Sequence, residues 1–253
     1  MDAAGRLHAP EEPPGRIVSL VPSATETLRA LGAGDRLVGR TRFDTADAIG
    51  HLPSVGRGLE PDMESLLALE PDMVIRFAGP SDPDTPERLD RAAIPHFAVR
   101  PDGVDDVREM IRELGALVGR EAEAASLVAD MDRGIAAVRS RVAGRDPVRV
   151  AYILGGSPPW VAGSGTFIHE LLEAAGGINV FEDLGDLYAP VSVEALLARD
   201  VDLFVIAPGA ELDRRVRDRA PAREAPGGLE APGPELAAAA AALARLLHPG
   251  AWP

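Results

Sequence analysis

Across residues 120–143, Ala124, Val128, Met131, Ile135, Val138 and Val142 recur at alternating steps of four and three, with polar or small residues between them except for Leu127. That spacing lines up one narrow face of an α-helix. Gly119 precedes the run, and Gly144 and Pro147 stop it. About 24 residues at 1.5 Å each predict a strut of roughly 36 Å, long enough to join two lobes.

On either side of the strut, short apolar runs alternate with helical periodicity. The run Arg16-Ile-Val-Ser-Leu-Val21 predicts a strand ending at Pro22, after which Ser23 or Thr25 is placed to cap a helix to Leu31. Further strands are expected over 36–39, 72–77 and 96–99, with helices over 62–69, 87–93 and 104–118. Beyond the strut, strands over 148–154 and 202–207 alternate with helices over 163–175 and 192–198. Residues 155–159 form an expected rigid loop that carries Trp160, and Tyr188 falls in a second loop. Residues 209–234 show little regular pattern, and an Ala-rich helix runs from about 234 to 247. Alternation of this kind implies parallel α/β layering.

The two flanks also resemble each other. Glu64-Ser-Leu-Leu-Ala-Leu-Glu-Pro-Asp-Met-Val-Ile75 matches Glu194-Ala-Leu-Leu-Ala-Arg-Asp-Val-Asp-Leu-Phe-Val205, and a weaker pair, 26–32 and 170–176, precedes each in the same order. Self-similarity at long offset marks a repeated structural unit. The expected organisation is a flexible tail over 1–15, an α/β lobe over 16–118, the strut over 119–144 and a second α/β lobe over 145–253.

Composition narrows the function. A formal charge of −14 argues against nucleic acid or an anionic membrane as partner, since either needs a basic face. The sequence contains no Lys, so all 26 basic residues are Arg, which removes Schiff-base and P-loop lysines. With no Cys there is neither thiolate nucleophile nor Cys-based zinc site. No run approaches the ~18 apolar residues of a transmembrane helix. Residues 1–15 do not read as a signal peptide, so location is expected to be periplasmic or at the cell surface only if such a segment is missing from this chain.

Open α/β sheets bind ligands at the carboxyl ends of their strands. Aromatic residues make up 4% of the chain, yet Phe43, Phe77, Trp160 and Tyr188 all fall in or beside such loops, two from each lobe. Flat side chains from two lobes suit a large, flat, partly apolar ligand. An alternative of another class is a metal-dependent enzyme in which His51, His96 and His169 converge with Asp44. Gly163-Ser-Gly-Thr166 lacks the later glycine and the Lys of a phosphate loop and reads as a plain helix start.

Several ordered motifs carry a family resemblance: Arg16-Ile-Val-Ser-Leu-Val-Pro-Ser-Ala-Thr-Glu26, Leu59-Glu-Pro-Asp-Met-Glu64, Leu69-Glu-Pro-Asp-Met-Val-Ile75, Gly165-Thr-Phe-Ile-His-Glu-Leu-Leu-Glu-Ala-Ala-Gly-Gly-Ile-Asn179 and Val191-Ser-Val-Glu194. From about Arg16 onward the chain resembles the substrate-binding proteins of vitamin B12, ferric siderophore and haem ABC transporters. The resemblance implies two Rossmann-like α/β lobes joined by a single long backbone helix, with the ligand cleft between lobes. It also implies a carrier that is not an enzyme and has no intrinsic cofactor or bound metal of its own. The expected cargo is a metal chelate, a corrinoid first and a ferric siderophore or haem second, and the expected partners are ABC permease subunits, with the carrier itself a monomer. The implied ligand-binding residues are Pro22, Ser23, Phe43, Arg57, Phe77, Trp160 and Tyr188; for an anionic chelate, Arg42, Arg57 and Arg76 are the expected counter-charges. Asp84, Glu87 and Glu211 are the implied docking carboxylates. The sequence departs from the B12-binding pattern at 227–231, where an Asp and an Arg are expected and only Glu230 is near, and the segment from about Gly209 looks shortened.

Overall fold

The structure, a computed structural model, describes residues 1–6, 8, 12–79, 82–229 and 231–252. The chain divides into two compact units, the first comprising Met1–Pro101 and Asp105–Ala129, the second Asp102–Val104 and Asp130–Pro253.

The first unit is built on four parallel strands: β1 (Ile17–Ser19), β2 (Leu37–Gly39), β3 (Met73–Phe77) and β4 (His96–Val99), in the order β2-β1-β3-β4. Helices α1 (Pro22–Ala30), α2 (Met63–Ala68) and α3 (Thr85–Arg91) connect them, and α4 (Val104–Val118) follows β4. Pro22 opens α1 from its first turn, so neither Ser23 nor Thr25 is the cap; Val21 precedes the helix in extended conformation. Asp62 caps α2 by accepting from the backbone N–H groups of Glu64 and Ser65. Val18, Leu20, Leu66, Val74 and Leu89 form the apolar centre of this unit.

Residues 1–6 differ from the expected flexible tail. The Ala3 N–H donates to the Ala98 carbonyl at 3.0 Å, and the Ala98 N–H donates back to Asp2 Oδ2 at 3.0 Å. This pairing covers the otherwise open edge of β4, and Asp2 is 4% exposed. Burial alone would raise the Asp2 carboxyl; donors from Arg6, Ala98 and His8 outweigh it and hold the pKa below the usual carboxylate value.

The predicted strut is α5 (Glu121–Val142). All six residues of its apolar stripe are buried, Ala124 and Val128 in the first unit and Met131, Ile135, Val138 and Val142 in the second. Small residues seat it closely in both. A Cβ on Gly115 of α4 would stand 2.5 Å from that of Ala124, and a Cβ on Gly134 would stand 2.5 Å from that of Ala237 in α9 (Leu236–Leu247).

The second unit holds β5 (Val148–Gly155), β6 (Trp160–Ala162), β7 (Gly177–Asn179), β8 (Tyr188–Pro190), β9 (Leu203–Ile206) and β10 (Ala222–Glu224), with α6 (Phe167–Ala174), α7 (Val193–Ala198), α8 (Arg214–Arg217) and α9. Strands β7, β5, β9 and β10 pair in parallel in that order, which repeats the β2-β1-β3-β4 order of the first unit. Strands β6 and β8 are additional. β6 runs antiparallel to the carboxyl end of β5, and β8 antiparallel to β6. The segment read as patternless, 209–234, contains both α8 and β10.

Candidate ligand-binding site

In the first unit the chain leaves β1 towards β2 on one side and arrives at β3 on the other. The connections diverge there, so the carboxyl ends of β1 and β3 border an open crevice. A cavity of about 560 Å³ occupies that place, lined by Leu20, Val21 and Pro22 after β1, Phe43 after β2, Arg57, Gly58, Leu59 and Glu60 from the next loop, and Phe77 at the end of β3. This volume is in the range that holds small organic ligands.

The lining is positioned by backbone bonds. Leu20 N–H donates to the Ile75 carbonyl at 2.8 Å, extending the β1–β3 pairing to the cavity floor. The loop carrying Arg57 to Glu60 is closed by an antiparallel bridge between Gly56 and Pro61, and the Arg42 N–H donates to the Gly56 carbonyl at 2.9 Å. Gly58 lies so close to β1 that a Cβ there would sit 2.1 Å from the Leu20 carbonyl oxygen. Phe43 is 53% exposed, with the Arg42 guanidinium 5.0 Å from its ring centre. A large apolar ring left in water beside a cavity is available for contact.

Four sequence-predicted residues, Pro22, Phe43, Arg57 and Phe77, therefore line one cavity. Ser23 is 3% exposed in the first turn of α1 and does not line it. Leu20, Val21, Gly58, Leu59 and Glu60 were not anticipated as site residues, although Leu59 and Glu60 open the motif 59–64 that carried the family resemblance. Trp160 and Tyr188 belong to the second unit, on strands where loops were expected: Trp160 pairs with Pro190 and Tyr188 with Ala162. Trp160 is 45% exposed. Tyr188 is half-buried, and burial, with the Asp102 carboxylate as a smaller influence, pushes its phenol further up in pKa, so it stays protonated at neutral pH.

Other expected groups stand elsewhere. Arg76 is 4% exposed and donates through Nε to His96 Nδ1 at 2.9 Å and through Nη1 to the Phe77 carbonyl at 3.0 Å, so it is a core cation and not a counter-charge for ligand. The metal-enzyme alternative fails on geometry. Asp44 Oδ2 accepts from the Thr41 hydroxyl and N–H at 2.7 Å, His96 is held by Arg76 and Asp90, and His169 faces Glu173. His51 borders a different cavity with Arg29 and Asp35. Among the described residues no three of His, Asp and Glu stand close enough to hold a metal ion.

Of the expected docking carboxylates, Asp84 precedes α3 without capping it, and Glu87 in the first turn bonds Arg91 at 2.6 Å. Glu211 is exposed, two residues ahead of Asp213, which caps α8. Asp84 and Asp213 hold matching positions in the two units, and Glu87 and Glu211 do not. Pro80 and Glu230 lie outside the described residues.

Residues 17–221 match the family described as periplasmic binding protein. The chain belongs to that family. Among its relatives is the cobalamin-binding protein of Halobacterium salinarum, 33% identical over 221 residues that cover 84% of this chain and 58% of that protein. The vitamin B12-binding protein of Yersinia pestis is 27% identical over 203 residues, covering 79% of this chain and 72% of its own. Among solved structures, the periplasmic heme-binding protein RhuT from Roseiflexus sp. RS-1 superposes with a TM-score of 0.77 at 27% identity, over 93% of this chain and 98% of that one. This periplasmic binding protein thus spans little more than half the length of its Halobacterium relative.

Proposed function

We propose that this periplasmic binding protein captures a metal chelate, a corrinoid foremost, and delivers it to an ABC importer from the periplasm or cell surface. The observation that carries the reading is the cavity at the β1/β3 crevice. It is mostly apolar, it is framed by Phe43 and Phe77, and among the described residues its lining offers no His, Met or Tyr to ligate a metal, Glu60 being its one carboxylate. Such a lining suits a chelate whose metal already has its ligands. The relatives named for cobalamin and vitamin B12 support this choice. Trp160, exposed on β6, and Tyr188 on the neighbouring strand β8 are proposed as ligand-binding residues of the second unit.

A haem carrier is the second reading, favoured by the likeness to a heme-binding protein. Calorimetric titration with cyanocobalamin, haem and a ferric siderophore separates the possibilities. Micromolar or tighter binding of cyanocobalamin alone is expected, and tight binding of haem with none of cyanocobalamin would replace the corrinoid reading.

Asp84, Glu87 and Glu211 are proposed to meet basic residues of the permease. Exposed carboxylates contribute under ~1 kcal/mol to stability. Reversing Glu87 and Glu211 together should therefore leave folding and affinity unchanged and abolish uptake through the cognate transporter; normal uptake would dismiss that pair.

A further inference from the structure

Two charged side chains interrupt the otherwise apolar cavity lining, and they come from one short loop. Arg57 and Glu60 occupy the first and last positions of the turn closed by the Gly56–Pro61 bridge. The turn is fixed at both ends: Arg42 N–H bonds the Gly56 carbonyl, Asp62 N–H bonds the Val55 carbonyl at 2.8 Å, and Asp62 itself caps α2. Gly58 between them is pressed against the Leu20 carbonyl. The backbone positions of the two residues are thus fixed.

Arg57 Nη1 and Glu60 Oε2 are 3.8 Å apart, with the side chains 57% and 79% exposed. That separation is longer than a hydrogen bond, so the pair leaves donor positions on the guanidinium and acceptor positions on the carboxylate for a third group. A primary carboxamide answers both, since its carbonyl oxygen accepts from Arg57 while its N–H donates to Glu60. A carboxylate satisfies Arg57 but sets a second anion against Glu60, and no proton is available on it for Glu60 to accept. Like charges brought together at a binding surface are a strong source of discrimination.

We propose that Glu60 is a specificity-determining residue, and that with Arg57 it selects chelates whose periphery carries neutral carboxamides over those fringed with carboxylates. This rests on the cavity being the ligand site, as argued above. It accounts for a cation beside the ligand without making the site selective for anions.

The test uses the purified chain and two probe pairs at pH 7: cyanocobalamin against each monocarboxylate isomer made from it by partial acid hydrolysis, and haem against its bis-carboxamide. For wild type, the amide form is expected to bind about tenfold more tightly than at least one monocarboxylate. Glu60→Gln should bring that ratio to within about threefold, because Arg57 then faces the carboxylate unopposed, whereas Arg57→Gln should weaken the amide form and keep the preference. Equal affinities for amide and acid in wild type, or a ratio that Glu60→Gln leaves unchanged, would overturn the proposal. If cyanocobalamin does not bind, the corrinoid reading fails on its own; a preference for the haem bis-carboxamide that is lost in Glu60→Gln would still support Glu60, and no preference there would overturn it.

Discussion

The two units share a framework and differ at its carboxyl end. In the first, β1 is a three-residue strand, and the chain turns into α1 at once, leaving the crevice beside β3 open to a 560 Å³ cavity. In the second, the equivalent β5 has eight residues; its first half pairs with β7 as β1 does with β2, and its second half is taken up by β6 and, beyond it, β8. The same strand order thus yields a recess in one unit and an added antiparallel pair bearing Trp160 and Tyr188 in the other. A repeated strand order acquires distinct roles by what is attached to its strand ends, where α/β sheets carry function.

The largest expected effects come from closing the tightest backbone approach in each unit. Gly58→Ala forces the loop away from Leu20, which should cost roughly 1 to 3 kcal/mol of stability and at least about tenfold in chelate affinity. Gly163→Ala meets the Asp186 carbonyl at 2.5 Å and should destabilise by a similar amount through the β6–β8 pair. Chemical denaturation and calorimetry check both. A Gly58→Ala protein with unaltered affinity would separate the cavity from binding.

Next in size is the exposed ring on the added strands. Trp160→Ala should weaken chelate binding by about 1 to 3 kcal/mol while shifting stability by less than about 0.5 kcal/mol, because much of the ring is already in water. Tyr188→Ala should lose both, since that side chain is half-buried. A Trp160→Ala protein that melts early but binds normally would make the indole a structural plug.

How far the sequence discloses this arrangement depends on whether local pattern or distant pairing fixes an element. The stripe of α5 and strand β4 are legible because periodicity and apolar runs decide them, and the predicted limits 96–99 and 104–118 coincide with β4 and α4. β10 is not legible, since Arg223 and Glu224 are exposed and the segment is a strand only through its pairing with β9. β6 and β8 are hidden in the same way by Pro158, Pro159 and Pro190, which read as loop. Asp2 looks like part of a solvated tail until the Ala98, Ala4 and Arg6 N–H groups that satisfy its carboxylate are brought to it. Of the site, the rings and Arg57 are visible as scarce residue types after strands, whereas Ser23 misleads because Pro22 starts the helix one residue earlier.

A smaller difference separates the helices that follow the fourth strand of each unit. α9 has no acidic residue, while α4 carries Glu113, whose carboxyl burial and then Glu109 push up to about 7. A carboxyl with a pKa raised above its ordinary 4.5 by folding favours the folded state less as pH rises: the contribution is intact below about 4.5 and is lost on passing through about 7. Glu113→Gln, which removes this raised carboxyl from α4, should stabilise the protein at pH 8 relative to wild type by on the order of 1 kcal/mol, with little gain at pH 4. A gain of equal size at both pH values would show that packing, and not ionisation, separates the two helices.

Amide hydrogen exchange with and without saturating cyanocobalamin tests most directly whether the open crevice of the first unit holds the chelate. Slowed exchange at Leu20, Val21, Phe77 and the 57–60 loop is the expected result, whereas binding that leaves all of these amides unchanged would contradict it.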